Sequence, residues 1–392
     1  MNSFVAKTPN VLIVGMADSI HLARWIMQYE KSNFRIRLVS SSPHRRVHPD
    51  IALMIAGTHP SGIRVSMPWI SKTLSLPMWL LDRFAADFFR GALIRHEIRS
   101  WKPELVHALE LQNAGYATAR ALEGIAPASR PKLLITNYGS EIVWFRQFPK
   151  HLAKLKNLML LANAFSAECN RDVLLAKEIG FTGTVLSTIP VSGGIDFSNK
   201  SGLFDSTNMA PRRTIAIKGY QNVWGQALNA LAAIESIAEE LEGFTIELFS
   251  CNRKTLVAAK KLARRTNLNV LAHKKHSLQH ADVLAIMRRS VAYVGLSKSD
   301  GISTSMIEAM SQGAVPIQSN SSCGSEWLQD GRDGFLVNYA DVDAVAAAIS
   351  KIVSDTEFST SAQQRNYYTV ANRYDKKSLS EVARGYYSQL LS

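Results

Sequence analysis

Two carboxylates, Asp300 and Glu308, stand with seven residues between them in Val294-Gly-Leu-Ser-Lys-Ser-Asp-Gly-Ile-Ser-Thr-Ser-Met-Ile-Glu-Ala-Met-Ser-Gln-Gly-Ala-Val-Pro-Ile317. This stretch reads as a buried strand, a small-residue loop, a helix and a further strand opening at Val315. The loop Ser299–Thr304 would bring the backbone N–H groups of Gly301, Ile302, Ser303 and Thr304 to a helix N-terminus. Unpaired amides and the helix dipole make such a place an anion site. A diphosphate held there would leave one carboxylate for a sugar and the other for a ribose, because an ionised carboxylate accepts two hydroxyl hydrogen bonds at once. The same residues admit a plainer reading. Ser305-Met-Ile-Glu308 has capping-box spacing, and Asp300-Gly301 is an ordinary turn pair.

For these groups to act, strands and helices must carry them to one edge of a sheet. Short apolar or β-branched runs recur between amphipathic segments, the alternation of α/β domains with parallel sheets. Strands are expected at Val11–Gly15, Arg35–Ser40, Ile63–Met67, Leu105–Leu109, Lys132–Thr136, Ala164–Ala167 and Gly183–Ile189. After the Gly-, Ser- and Pro-containing break from Val191 to Arg213, a second series follows: Thr214–Ile217, Phe244–Phe249, Asn267–Ala272, Val291–Leu296, Val315–Gln318 and Phe335–Val337. One long helix is expected over Pro77–Ser100, with Arg83, Arg90, Arg95 and Arg99 among bulky apolar residues, and a separate amphipathic helix over Lys377–Leu391. The fold expected is α/β, with two Rossmann-like, doubly wound domains facing a central cleft. The domains are 1–195, 196–374 and a C-terminal segment 375–392 that packs back on the first.

The stretch around Asp300 and Glu308 resembles the retaining glycosyltransferases of the GT-B fold, often called family 4. Their pattern is a Glu, seven residues, a second Glu, Ala-Met, a Gly, a strand with Pro, and a distal Asp-Gly-x-x-Gly-Leu-Val. Here stand Asp300, Glu308, Ala309-Met310, Gly313, Pro316, Glu326 and Asp330-Gly-Arg-Asp-Gly-Phe-Leu-Val337. More weakly, Val11-Leu-Ile-Val-Gly15 with Ser19-Ile-His21 looks like the first strand and loop of the family's acceptor domain. Lys102-Pro-Glu-Leu-Val-His107 and Asn137-Tyr-Gly-Ser-Glu141 look like two further strand ends of that domain. The resemblance implies transfer of a sugar from a nucleotide-diphosphate-sugar donor to a glycan or lipid-linked acceptor, with retained configuration and without metal or other cofactor, in cell-surface polysaccharide or lipopolysaccharide synthesis. It implies catalytic roles for Asp300, Lys218 and His21. Donor contacts would come from Gly301, Ile302, Ser303, Thr304, Glu308, Gly219 and Gln226, and an acceptor side from Gly15, His107, Tyr138 and Glu141. The chain departs from the pattern in places. Asp300 is one methylene shorter than the usual Glu, Ser303 replaces a loop glycine and Tyr138 a histidine. The family's two-cation phosphate clamp has only Lys218 here, with Gln226 where the second cation would stand.

Charge and composition bound the remaining possibilities. Residues 1–200 hold 24 Lys and Arg against 14 Asp and Glu, and the remainder 21 against 18. An anionic partner for the first half is therefore expected: a membrane surface, a phosphate-bearing acceptor or nucleic acid. No recognised nucleic-acid-binding motif supports the last of these. No apolar run reaches the roughly 18 residues of a membrane span, and the N-terminus does not read as a signal peptide. A cytoplasmic protein, peripheral on the inner membrane face, is expected. Cys169, Cys251 and Cys323 have no metal-type spacing. A Gly-x-Gly-x-x-Gly fingerprint is missing after the first strand, against an NAD enzyme. A nucleotide-sugar epimerase on the same scaffold remains the alternative enzyme.

Overall fold

The computed structural model describes residues 8–42, 46–198 and 212–392. Most of the expected 191–213 break therefore lies outside the described residues. The chain divides into two compact units, one of residues 1–194 with 376–392 and the other of residues 195–375.

The first unit is built on a seven-stranded parallel sheet. Its strands are β1 (Asn10–Gly15), β2 (Arg35–Ser40), β3 (Val65–Ser66), β4 (Leu105–Leu109), β5 (Lys132–Asn137), β6 (Ala164–Ala167) and β7 (Thr184–Val185), in the order β3-β2-β1-β4-β5-β6-β7. The central strands are buried over nearly their whole length, as a sheet covered by helices on both faces requires. The second unit repeats the design with β8 (Thr214–Lys218), β9 (Thr245–Cys251), β10 (Asn269–Lys274), β11 (Ser290–Gly295), β12 (Val315–Ser319) and β13 (Phe335–Val337). Its order is β10-β9-β8-β11-β12-β13, again all parallel. In each sheet the order reverses once, between β1 and β4 and between β8 and β11. Ligands of doubly wound sheets bind beyond the carboxyl ends of the strands at such a reversal.

The helix expected over Pro77–Ser100 is two helices, Ser75–Ala85 and Phe88–Trp101. Ala86 and Asp87 break it with φ of 47° and 64°. The corner is held by charge. The Asp82 carboxylate accepts from the Phe89 amide at 2.7 Å and from the Arg90 guanidinium at 2.7 Å, and Asp87 takes the same guanidinium at 2.6 Å. Asp82 thereby satisfies an amide that the start of the second helix leaves open. Three of the four arginines of this segment are held by the protein itself. Arg90 is buried, and Arg95 and Arg99 donate to the carbonyls of Ala121, Arg120 and Gly124 at the end of the helix Tyr116–Glu123.

The final helix, Lys376–Leu391, belongs to the first unit. Tyr387 stacks on Tyr29 with ring centroids 4.2 Å apart, and the Tyr29 hydroxyl donates to the Ala383 carbonyl at 2.8 Å. Trp25 and His107 pack edge-on beside them. No helix among the described residues is long and apolar enough to cross a membrane.

Candidate active site

In the second unit, β11 ends at Gly295, where a Cβ would fall 2.5 Å from the Tyr293 hydroxyl and 2.7 Å from the Gln318 side-chain oxygen. Only glycine fits, and the chain turns there into the loop that leads to the helix Thr304–Ser311. The loop is pinned at several points. Ser297 donates its amide to Ser319 Oγ at 2.7 Å, Lys298 its amide to the Trp224 carbonyl at 2.9 Å, and Cys323 its amide to the Gly301 carbonyl at 3.0 Å. Asp300 Oδ1 accepts from the Gly301 amide at 3.0 Å, so that amide already faces a carboxylate.

The helix begins at Thr304. Its N-cap is Ser303, whose hydroxyl accepts from the Met306 amide. The capping-box reading of Ser305 and Glu308 is thus corrected, since the residue three past the cap is Met306. Glu308 lies in the second turn, buried, and its Oε1 meets His280 Nε2 at 2.7 Å. His280 opens the helix His280–Arg289, which Gln279 and Asp282 cap reciprocally. Sequence reasoning passed over His280 because it stands 28 positions before Glu308 and nothing in the chain between signals the contact. The reciprocal cap at Gln279-x-x-Asp282 was the only legible hint.

Lys218 ends β8 and approaches the same loop. Burial is the largest single influence on its ammonium and opposes the charge. The pull of Tyr293, Asp300, Tyr220 and Glu308 outweighs it and holds the pKa above the ordinary lysine value. Lys218 Nζ stands 5.3 Å from the Tyr220 ring centroid, and Lys275 Nζ stands 5.7 Å from the same ring. Lys275 follows β10 directly, its amide donating to the Cys251 carbonyl. A second cation is therefore present at this sheet edge, delivered by another strand than the family pattern suggested.

Two expected donor contacts change character. The Gly219 amide donates to the Phe249 carbonyl at 2.8 Å, and a Cβ at Gly219 would lie 2.5 Å from the buried Cys251 sulfur. Gly219 permits close packing and offers no amide to a ligand. Burial pushes the Cys251 thiol up to about 11, so it is not a nucleophile. The Gln226 side chain donates to the Asn222 carbonyl at 3.4 Å, within a loop that Asn222 Oδ1 closes by accepting from the Trp224 and Gly225 amides. Gln226 is a loop tie, and the second positive charge stands at Lys275. The distal segment is also structural: Asp330 Oδ1 accepts from the Leu336 amide, and a Cβ at Gly334 would strike the Pro316 carbonyl at 2.4 Å.

A separate cluster occupies the first unit at its own sheet reversal. Gly15 ends β1, with Leu22 and Leu109 packed close upon it. His21 opens the helix Ile20–Met27 behind the Ser19 cap, its ring centroid 6.1 Å from that of Tyr138. Glu141 Oε2 accepts from the Tyr138 amide, and the Tyr138 hydroxyl donates to the Leu109 carbonyl at 3.3 Å. Burial, and then Glu110, hold the Glu141 carboxyl well above the usual range. Glu110, which the sequence reading omitted, is buried at the end of β4 with φ 100° and ψ 145°. Its carboxylate accepts from Ser41 Oγ at 2.9 Å and from the Ala114 amide at 3.2 Å. A non-glycine residue in that conformation stores roughly 1–3 kcal/mol of strain.

His107 is the clearest correction. It is wholly buried, its Nδ1 2.8 Å from the Tyr387 hydroxyl and its Nε2 2.7 Å from Thr136 Oγ1. Burial lowers its pKa to about 3, leaving the ring neutral. It fastens the last helix to β4 and β5 and is not open to an acceptor.

Residues 252–369 match the family model described as glycosyl transferases group 1. The lipopolysaccharide core biosynthesis glycosyltransferase LpsE of Rhizobium meliloti (strain 1021) is 25% identical over 128 residues, 32% of this chain and 36% of that protein's length. Among solved structures, Anabaena HepE in complex with UDP-glucose is similar with a TM-score of 0.68 at 13% identity, covering 97% of this chain and 99% of that one. Sucrose-phosphate synthase from Thermosynechococcus elongatus is similar with a TM-score of 0.72 at 13% identity, covering 98% and 99%. At these identities the likeness is one of fold, and the fold is GT-B.

Proposed function

We propose that the chain transfers a sugar from a nucleotide-diphosphate-sugar to a hydroxyl of a glycan or lipid-linked acceptor, a reading that starts from the match of residues 252–369 to the group 1 glycosyltransferase model. The observation that carries the reading is the gathering of Asp300, Glu308 and Lys218 around one helix N-terminus, at the carboxyl edge of the sheet where the strand order reverses. Glu308 holds the ribose hydroxyls, oriented by His280. Asp300 holds the transferred sugar. Lys218, with Lys275 beside Tyr220, faces the diphosphate together with the amides of Ile302, Ser303 and Thr304.

The bond between the anomeric carbon and the phosphate oxygen breaks, and the acceptor oxygen bonds to that carbon on the same face, with retained configuration. The acceptor proton passes to the departing phosphate oxygen. Charge growing on that oxygen meets donors already in place, so no reorganisation is needed at the moment of transfer. No divalent metal enters this scheme, because fixed amides and ammonium groups supply the neutralisation. In the first unit His21, Tyr138 and Glu141 face the acceptor. The likeness to LpsE, a lipopolysaccharide core biosynthesis glycosyltransferase, and to HepE bound to UDP-glucose supports a UDP-sugar donor and a lipopolysaccharide-type product.

A thermal-shift screen against UDP- and GDP-sugars tests the donor. A ligand at 100 times its Kd stabilises the folded state by about 2.7 kcal/mol. A protein that shifts with none of them, and transfers none to a glycan or lipid acceptor, refutes the reading.

A further inference from the structure

From Trp69 to Phe89 the first unit carries a surface that its own core leaves uncovered. Trp69 is 70% exposed and Phe84 94%, and Leu76, Leu80, Leu81 and Phe88 are exposed with them. Leu76, Leu80 and Phe84 recur every fourth residue on the helix Ser75–Ala85 and so form one stripe. Single exposed apolar side chains are normal, whereas a helical stripe of three, flanked in sequence by further exposed apolar residues, marks an interaction surface.

Charge says what covers it. Between Ile51 and Phe89 the only carboxylates are Asp82 and Asp87. Both are buried, Asp82 paired with Arg90, and Asp87 with Arg90 and Lys154. The cations of the same stretch are Arg64, Lys72 and Arg83. Arg83 stays exposed, its guanidinium 5.1 Å from the Trp79 ring centroid. The face is apolar with a cationic margin and no exposed carboxylate, in a half of the chain with 24 basic and 14 acidic residues. A second copy docked face to face would bring like charges together. An anionic lipid surface complements both properties, since aromatic and aliphatic side chains enter the headgroup boundary while arginine meets phosphate.

We propose that this face docks on an anionic bilayer, with Trp69 and Phe84 inserted at the headgroup–acyl boundary and Arg83 beside the lipid phosphates. Contact is shallow, because no described helix can cross a membrane. The docking surface is distinct from the donor-site residues and does not depend on the reading given to them.

Flotation of the full chain with phosphatidylcholine vesicles, with and without phosphatidylglycerol and at low and high salt, tests it. The protein should float with the anionic vesicles and lose affinity as salt rises. Trp69→Ser and Phe84→Ser should each lower partitioning by about tenfold, with unchanged melting temperature because neither side chain supports the core. Equal flotation with neutral and anionic vesicles would overturn the proposal, as would wild-type partitioning by the double variant. Failure to float combined with a dimer that Phe84→Ser dissociates would assign the face to self-association instead. Thermal shift with UDP, expected to be the same in wild type and double variant, keeps the fate of the donor site separate.

Discussion

Replacing Glu308 with Gln keeps the side chain's size and removes its charge, and two forecasts for nucleotide binding diverge. If Glu308 accepts both ribose hydroxyls, the loss is that of hydrogen bonds to a charged group. Such bonds are worth about 1.5–3 kcal/mol, a roughly 10- to 150-fold weaker Kd for UDP or GDP. If Glu308 serves only as the partner of His280, the magnitude is smaller. The His280 side chain is 51% exposed, and ion pairs open to solvent contribute about 0.2–1 kcal/mol. That loss would lower the melting temperature and leave nucleotide affinity nearly untouched. Titration calorimetry on wild type, Glu308→Gln, His280→Ala and the double variant separates the two. In the ribose reading His280→Ala costs about two- to fivefold, because the carboxylate loses its orientation. The double variant then matches Glu308→Gln alone, the non-additivity expected of residues acting through one another. In turnover assays Glu308→Gln should raise the donor KM with kcat little changed, since the contact is shared by ground and transition states. A Glu308→Gln protein that binds nucleotide within about twofold of wild type would refute the reasoning and remove the donor-site assignment with it.

Asp300→Asn should chiefly lower kcat, by roughly tenfold or more, because the transferred sugar is where charge changes during reaction; an unchanged kcat in steady-state assays contradicts that role. Activity should survive excess EDTA in full, and loss rescued by Mn²⁺ or Mg²⁺ would show that Lys218, Lys275 and the amides do not suffice. For His107 the folded pKa of about 3 lies below the ordinary 6.5. Its stabilising contribution is therefore complete above pH 6.5 and erodes as pH falls towards 3, by up to about 5 kcal/mol at 1.36 kcal/mol per pH unit. Denaturant titrations over that range should show the wild type losing more stability than His107→Gln, and an imidazole resonance titrating near its ordinary value would disprove the burial argument.

The sheets were the most legible part of the chain. Each strand overlaps the run expected for it, and the central ones match best, since a buried parallel strand must be apolar along its whole length. The exposed edges fit less well, with β3 and β7 reduced to Val65–Ser66 and Thr184–Val185 and β10 shifted to Asn269–Lys274. Helices showed less well. Thr356–Arg373 escaped notice because its inward stripe is Ser359, Ala362, Gln363, Asn366 and Val370, small or polar side chains with no large apolar period. Asn366 and Arg365 bond to Asp333 instead, a contact no local pattern encodes. The break at Ala86 and Asp87 was hidden for a similar reason, as it depends on three charged side chains closing on one another. Around the candidate site the loop and its two carboxylates could be read directly. His280, Lys275 and Glu110 could not, because strand order brings them in from distant sequence. His107 misled for the opposite reason: a polar residue at a strand end looks open to substrate until a helix from the far end of the chain covers it.

The return of Lys376–Leu391 to the first unit also orders events during synthesis. The ribosome must make all of residues 195–375 before it makes the helix that covers Trp25, Tyr29 and His107. Until then the first sheet carries an aromatic face with no lid. The second unit, continuous in sequence, can finish folding while the first still waits. A nascent chain stalled in that interval would expose its stickiest surface, so trigger-type chaperones should engage the first unit late and for longer than its position in the sequence suggests.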